Sequence, residues 1–200
     1  MQKVLITQRS VYLDKINETR DALDQRLCQF ISQCGFTPVP VPNSLHSGGL
    51  LRNWLDNMLP FSVVLSGGED YGINSKRDSL EFELLDYAEQ KKIPVIGICR
   101  GMQILAYYSG QNNLKKIKDH SNTRHRVNGF ISKNVNSYHK YSLVNQPAFY
   151  NVWAESEDGQ IEAIKHNARP WLGIMWHPER EKCFPKTDLE LFKMILQQKD

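Results

Sequence analysis

Short apolar runs alternate with longer amphipathic stretches along the first half of the chain. The runs are rich in β-branched residues, as expected of strands buried on both faces of a parallel sheet, and occupy residues 3–7, 37–41, 61–65 and 94–98. The amphipathic stretches carry apolar side chains at spacings of three and four, which predicts helices at residues 18–34, 46–58 and 79–92. This alternation favours a doubly wound, mostly parallel α/β sheet flanked by helices.

The second half has a different pattern. Strand-like runs at residues 149–155, 160–165 and 171–176 follow one another closely, and Asp158 and Gly159 offer a hairpin turn between the first two. An amphipathic helix is predicted at residues 188–198. We expect extra antiparallel strands here, added to the same sheet, and a single domain over residues 1–200.

Composition narrows the function classes. The 25 basic and 22 acidic residues are spread along the chain, so the net charge of +3 does not indicate nucleic-acid binding. No run of 18 apolar residues predicts a membrane span. The four cysteines have neither zinc-site spacing nor the density of a disulfide scaffold, which favours a soluble protein of the reducing cytoplasm. Neither the composition nor the spacing indicates an oligomeric state.

Cys99 stands out from the other cysteines because it follows a predicted strand directly. Gly97, Cys99 and Gly101 form a G-x-C-x-G pattern that opens a helix-like segment, so the sequence predicts a strand, a sharp turn and a helix. Such a turn exposes the nucleophile above the sheet edge, and the helix N-terminus favours its thiolate form. A buried structural cysteine is the alternative for this pattern alone, and packing is the preferred interpretation for Cys28 and Cys34.

A candidate base follows the predicted strand at residues 171–176. His177 and Glu179 flank Pro178, and in extended chain a period of two places the imidazole and the carboxylate on the same side. The carboxylate would orient the imidazole that takes the thiol proton. A histidine before proline is often structural. The strand, turn and helix around Cys99, at residues 97–103 and called the elbow below, favour a catalytic role for His177.

Acyl transfer also needs amide donors directed at the oxyanion of the tetrahedral intermediate. The elbow supplies the backbone N–H of Arg100. A second donor is predicted from Gly67 or Gly68, because these glycines follow the strand at residues 61–65 and so lie at the carboxyl edge of the sheet. A plain glycine turn is the alternative for the pair alone.

In combination, the glycine loop after residue 65, the elbow at residues 97–103 and the segment 177–179 resemble class I glutamine amidotransferases in order and spacing. Cys-Arg-Gly-Met-Gln in the elbow and the segment at residues 136–139 narrow the resemblance to free-standing γ-glutamyl hydrolases, which include γ-glutamyl-γ-aminobutyrate hydrolases. Among these hydrolases, the chain most resembles enzymes of the γ-glutamyl-CDP-amidate hydrolase type. These enzymes belong to capsule phosphoramidate biosynthesis.

The resemblance implies hydrolysis of a γ-glutamyl amide through a glutamyl thioester, without a metal or organic cofactor. It also implies a small-molecule partner that is nucleotide-linked. The implied substrate-binding residues, of which Tyr138 replaces a commonly aliphatic residue, are Gln103, Asn136, Ser137, Tyr138 and His139. Leaving-group contacts are suggested for Arg124, Arg126 and Lys140, since guanidinium groups suit a diphosphate. Further basic residues in segments predicted as loops are Arg77, His120 and His125. A solvated charged surface explains all six equally well.

Two other functions remain open from the sequence. A glutaminase subunit that passes ammonia to a synthase would use the same chemistry with a different partner. A non-catalytic binding protein of this fold would have no need for Cys99, His177 and Glu179 together.

Overall fold

The structure is a computed structural model that describes residues 1–111 and 113–198. Its helices are α1 Gln25–Gln33, α2 Leu50–Met58, α3 Ser75–Gln90, α4 Arg100–Tyr108 and α5 Lys186–Leu196. Its strands are β1 Lys3–Ile6, β2 Arg9–Leu13, β3 Glu18–Ala22, β4 Thr37–Pro40, β5 Ser62–Leu65, β6 Val95–Ile98, β7 Leu114–Lys116, β8 Ser121–Gly129, β9 Lys133–Tyr138, β10 Tyr141–Leu143, β11 Tyr150–Ser156, β12 Ile161–His166 and β13 Trp171–Ile174.

A nine-stranded mixed sheet organises the chain, in the order β4-β1-β5-β6-β13-β12-β11-β8-β9. Neighbouring strands from β4 to β13 pair in parallel, whereas each pair from β13 to β9 is antiparallel. This confirms the predicted α/β sheet with extra antiparallel strands in the second half. The predicted hairpin turn is also confirmed, because Asp158 and Gly159 connect β11 with β12.

Helices cover both faces of the sheet because successive side chains of a strand point to opposite faces. On one face, Leu5 and Val63 pack with Leu51 of α2 and Leu84 of α3. The opposite face buries a second cluster, which includes Val4, Ile6, Val64, Phe30 of α1 and Phe192 of α5. Since β1, β5 and β6 are covered on both sides, their sequences read as continuous apolar runs.

The prediction of a helix at residues 18–34 is wrong for residues 18–24. Glu18–Ala22 instead pairs with Arg9–Leu13 in an antiparallel hairpin, and Asn17 takes the left-handed conformation with φ of 50° at its turn. The helix begins only at Gln25, because the Asp24 side chain accepts a hydrogen bond from the backbone N–H of Arg26 and caps it. Residues 18–22 offer little apolar surface to bury, which explains why they do not extend the helix.

Other boundaries shift by a few residues. Helix α2 begins at Leu50, four residues later than predicted, because Gly48 and Gly49 have positive φ. Helix α3 begins at Ser75, four residues earlier than predicted, where the Asn74 side chain accepts from the N–H of Arg77.

The loop prediction for several basic residues is also wrong. Arg77 lies in α3, and Arg124, His125 and Arg126 lie in β8. The nine-residue strand β8 was missed because polar residues dominate it and only Val127 is buried. No helix within the described ranges is both long and apolar enough to cross a membrane.

Candidate active site

Three neighbouring parallel strands bring the three sequence motifs to one edge of the sheet. Strand β6 lies between β5 and β13, and all three end at the same edge. The glycine loop follows β5, Cys99 follows β6 and His177 follows β13. The N–H of Cys99 donates to the carbonyl of Ile174 at 2.7 Å, which ties the end of β6 to the end of β13. Strand order therefore brings the predicted nucleophile, base and oxyanion loop to a common region.

Cys99 lies in a strained elbow. Its φ of 52° and ψ of −104° are unfavourable for a residue with a side chain, and such strain costs about 1–3 kcal/mol. A Cβ at Gly101 would overlap the carbonyl of Leu65, and a Cβ at Gly97 would overlap the backbone of Gly101. Only glycine allows β5, β6 and α4 to approach this closely, so the spacing of the elbow is a packing requirement.

His177 and Glu179 form a buried pair. The His177 Nδ1 lies 2.6 Å from Glu179 Oε1, and both side chains are almost completely buried. The predicted extended geometry is wrong, because Pro178–Arg180 forms a 3₁₀ turn. That turn still places the carboxylate against the imidazole, so the proximity predicted from the spacing occurs through a different backbone conformation.

The surroundings of His177 favour its protonated form. Burial alone would lower its pKa, but the charge of Glu179 and hydrogen bonds to Cys99 and Glu179 outweigh burial and raise the pKa to about 9. The imidazole therefore interacts with both the predicted nucleophile and its orienting carboxylate. This arrangement suits a group that takes and returns a proton near Cys99.

Asn136 and Arg26 hold His177 and the following turn Pro178–Arg180 in place, a segment called the histidine turn below. The Asn136 side chain accepts from the N–H of His177 at 2.8 Å and donates to the His177 carbonyl at 2.8 Å. Arg26 donates to the carbonyl of Glu179 at 2.9 Å and also to that of Glu181. The position of Arg26 in α1, far away in sequence, gives no signal of this contact.

The glycine loop lies directly beside His177. A Cβ at Gly67 would lie 2.7 Å from His177 Cε1 and 3.8 Å from the Cβ of Cys99. Arg77 holds the loop from below, because its guanidinium donates to the carbonyls of Ser66 at 2.9 Å and Gly67 at 3.1 Å. The loop thus lies against both His177 and Cys99, beside the predicted nucleophile.

A buried network of charges underlies the loop and the elbow. Arg77 pairs with Glu69 at 2.8 Å and with Glu81 at 3.0 Å, while Arg100 pairs with Glu81 and Asp78. Burial raises the pKa of the Glu81 carboxyl, but Arg77 and Arg100 outweigh burial and lower it. The Arg100 side chain belongs to this network, so only its backbone amide is available to the site. The network joins residues from a loop and two helices, so the sequence gives no sign of it apart from the spacing of four between Arg77 and Glu81, which suits an ion pair on one helix face.

Two open cavities flank the site, and both include Gly68. The larger, of about 340 Å³, is lined by residues that include Arg9, Gly67, His177 and Arg180. The smaller, of about 240 Å³, is lined by residues that include Cys99, Gln103, Tyr138, His139 and Lys140. Four residues predicted to contact substrate therefore lie beside Cys99.

The other predicted contacts lie elsewhere. Asn136 and Ser137 are buried, and Ser137 donates to the carbonyl of His120 at 2.5 Å. Arg124 pairs with Glu181 at 2.8 Å, and Arg126 donates to Asn128 at 3.0 Å. The described residues that line the two cavities do not include these four.

Comparison with known proteins places this site in a family. The class I glutamine amidotransferase family matches residues 16–188. A crystal structure of a glutamine amidotransferase from Thermotoga maritima superimposes with a TM-score of 0.64 at 20% identity, covering 98% of this chain and 84% of that one. The chain therefore belongs to the class I glutamine amidotransferase family.

Two relatives of known name show which members of the family this chain resembles. A γ-glutamyl-CDP-amidate hydrolase from Campylobacter jejuni is 30% identical, over 95% of this chain and 97% of the relative. One subunit of a glutamine-hydrolysing GMP synthase from Methanococcus aeolicus is 31% identical, over 58% of this chain and 63% of the relative. The protein is accordingly a γ-glutamyl-hydrolase-like cysteine enzyme that acts on amide C–N bonds.

Proposed function

We propose that the chain hydrolyses a γ-glutamyl amide with Cys99 as nucleophile, His177 as base and Glu179 as the group that orients His177. The observation that supports this most directly is the buried imidazole, which lies 2.6 Å from Glu179 and interacts with Cys99. The elbow conformation of Cys99 adds to it, because a strained backbone persists only where the surrounding structure maintains it.

The proposed reaction has two steps. Transfer of the thiol proton to His177 leaves a thiolate beside an imidazolium. The thiolate attacks the γ-carbonyl, while amides of Arg100 and of Gly67 or Gly68 stabilise the oxyanion. Collapse of the intermediate breaks the C–N bond, and His177 gives its proton to the departing nitrogen. Water, deprotonated by the same imidazole, then attacks the glutamyl thioester, and glutamate leaves as Cys99 is regenerated.

The two cavities suggest how the substrate lies. The glutamyl group would occupy the smaller cavity beside Cys99, where Gln103 and Lys140 can bind its polar groups. The departing nitrogen must face His177, and the larger cavity opens on that side with Arg9 and Arg180 in its lining. Two guanidinium groups suit a diphosphate, so we assign the larger cavity to the leaving group. These features and the C. jejuni relative support γ-glutamyl-CDP-amidate as substrate and cytidine diphosphoramidate as product.

A glutaminase subunit is the second candidate, since a GMP synthase subunit is 31% identical over part of the chain. The two functions are separated by kcat/KM for γ-glutamyl-CDP-amidate and for glutamine. Because glutamine lacks the diphosphate contacts, we expect the amidate to be preferred by at least ~100-fold, or about 2.7 kcal/mol. A preference for glutamine, above all one stimulated by a synthase, would support the glutaminase. A better rate with γ-glutamyl-γ-aminobutyrate would indicate a different leaving group.

A matched pair of variants tests the assignment of the larger cavity. Arg9→Gln should lower kcat/KM for the amidate by ~10–100-fold, because a charge-assisted hydrogen bond is lost, and should leave glutamine hydrolysis unchanged. Arg20→Gln is the control, since Arg20 is exposed and pairs with Glu18 on the same hairpin. Equal effects of the two variants would contradict the assignment.

A further inference from the structure

A cluster of three histidines surrounds one buried carboxylate outside the Cys99–His177 pair. Glu162 Oε1 lies 3.2 Å from His120 Nδ1, 3.3 Å from His125 Nε2 and 3.2 Å from His139 Nε2. Glu162 belongs to β12, His125 to β8, and the other two flank β8 and β9. Glu162, His120 and His139 are buried and the His125 side chain is 16% exposed, so the cluster is not a solvated surface group.

In His120 and His139, the ring nitrogen that points away from Glu162 already has a hydrogen-bond partner. His139 Nδ1 lies 3.0 Å from the carbonyl of Tyr141, and because a carbonyl only accepts, this nitrogen carries the proton. His120 Nε2 lies 3.1 Å from a carboxylate oxygen of Asp158 and must also donate. In the neutral rings, His120 Nδ1 and His139 Nε2 therefore present lone pairs toward Glu162.

The inward atoms lie at hydrogen-bonding distance from one another but are poorly aligned. His120 Nδ1, His125 Nε2, His139 Nε2 and both oxygens of Glu162 have no well-directed hydrogen-bond partner. The distances would allow hydrogen bonds, so the ring directions miss the carboxylate. Metal ligands show this geometry, because each directs its lone pair at the ion and not at the neighbouring ligand.

The spacing suits a small divalent cation. Bond lengths of 2.0–2.2 Å to zinc give about 3.3–3.5 Å between neighbouring ligands of a tetrahedron, close to the observed 3.2–3.3 Å. These three distances all end at Glu162 Oε1. The ligand atoms of His120, His125 and Glu162 also lie within 4.8 Å of one another, so these three side chains form the compact ligand set, and His139 adjoins it through Glu162. Full protonation of all three rings would instead bring imidazolium charges together, since the His120 ring centroid lies 4.5 Å from that of His125 and 5.0 Å from that of His139.

We propose that His120 Nδ1, His125 Nε2 and Glu162 Oε1 bind a divalent transition metal, with Zn²⁺ the best match. His139 Nε2, which lies 3.2 Å from Glu162 Oε1, is the nearest group that could become a fourth ligand. Imidazoles and a carboxylate are ligands that zinc accepts, and a fourth protein ligand would make the site a closed, structural one. Asp158 and the carbonyl of Tyr141 are the outer partners that metal-binding histidines commonly have.

The proposed metal site lies next to the smaller cavity. The metal would fasten β8 and β12 to the end of β9, where Tyr138 and His139 line the smaller cavity. Its effect on catalysis would be indirect, through the position of Tyr138, whose ring packs edge-on against His177 at 5.7 Å. The proposal is independent of the substrate and of the roles assigned to Cys99 and His177.

Metal analysis of the tag-free protein tests the site. The chain is stripped with a chelator, equilibrated with Zn²⁺ alone, passed through a desalting column and analysed by mass spectrometry for bound zinc. We expect one zinc ion per chain, an increase of Tm in the presence of Zn²⁺, and X-ray absorption at the zinc edge that indicates only nitrogen and oxygen ligands.

Variants identify the ligands. His125→Gln should weaken zinc binding by at least ~100-fold and Asp158→Asn by ~10–100-fold, since outer partners matter less than ligands. His46→Gln is the control, because His46 lies outside the cluster and should not affect zinc binding. Circular dichroism confirms that each variant is folded. Absence of bound zinc in the folded wild-type chain, or equal binding by His125→Gln and wild type, would overturn the proposal.

Discussion

At the scale of single residues, the environments of the cysteines differ in ways that bear on reactivity. Cys99 is half-buried at a helix N-terminus and interacts with a histidine whose pKa is raised to about 9. Burial raises the pKa of the Cys34 thiol to about 12, and burial followed by the charge of Asp24 raises that of Cys28. Thiolate is the reactive form, so these environments predict an order of reactivity.

We predict that iodoacetamide at neutral pH modifies Cys99 faster than Cys28 and Cys34, as measured by peptide mapping over time. Cys183 is exposed and serves as the reference for an accessible thiol. Cys99→Ala should abolish turnover and retain the native circular dichroism spectrum. If Cys99 reacts no faster than Cys34, or if the alanine variant keeps its activity, Cys99 is not the nucleophile.

At the scale of elements, burial determined which strands could be predicted from the sequence. Strands β5, β6 and β13 are buried at every residue, so their apolar runs were recognisable. Strands β3 and β8 are largely exposed and polar, and β2 contains no buried residue, so no periodicity revealed them. The elbow was recognisable because its glycines are required by the close approach of β5, β6 and α4. Contacts such as that of Arg26 with the histidine turn join residues more than 150 positions apart and leave no local pattern.

Helix α3 holds the glycine loop through the side chain of Arg77. The guanidinium of Arg77 is fully buried and bonds to two loop carbonyls, to the Ser66 hydroxyl at 3.1 Å and to two carboxylates. A lysine would keep the charge but could not reproduce this fork of donors. If the amides of Gly67 and Gly68 form the proposed oxyanion site, Arg77 is the residue that positions them.

We predict that Arg77→Lys lowers kcat by ~10–100-fold with a smaller change in KM, because a misplaced oxyanion donor affects the transition state more than substrate binding. Alkylation of Cys99 by iodoacetamide forms no oxyanion and should proceed at the wild-type rate in the same variant. Arg52→Lys on the exposed face of α2 is the control. Equal losses in turnover and alkylation would show that Arg77 maintains the whole site and not the loop alone.

At the scale of the whole molecule, the two parts of the sheet contribute different walls of the site. The parallel strands carry the proposed nucleophile, the proposed base and the glycine loop, while the antiparallel part carries Asn136, Tyr138 and His139. The motifs of the parallel part were predicted as a group because one strand edge explains all three. The histidine cluster was not predicted, because its members come from residues 120–162 and no metal-site spacing joins them. Their assembly depends on antiparallel pairing of β8 with β9, which the sequence did not indicate.

The buried His177 also couples the site to global stability. Its pKa is raised from 6.5 to about 9 in the folded chain, so the folded state binds this proton more tightly than the unfolded state. The resulting stabilisation is fully present below pH 6.5 and is lost as the pH rises through about 9.

We therefore predict that the free energy of unfolding of wild type, relative to that of His177→Asn, falls between pH 6.5 and 9.5, as measured by urea denaturation. The comparison removes the effect of other groups that titrate in this range, because both chains contain them. Glu179→Gln should reduce the same slope, since the charge of Glu179 is the largest cause that raises the pKa. A difference between wild type and His177→Asn that stays constant over this range would mean that His177 is neutral in the folded protein. In that case Cys99 and His177 would not form a charged pair before substrate binds.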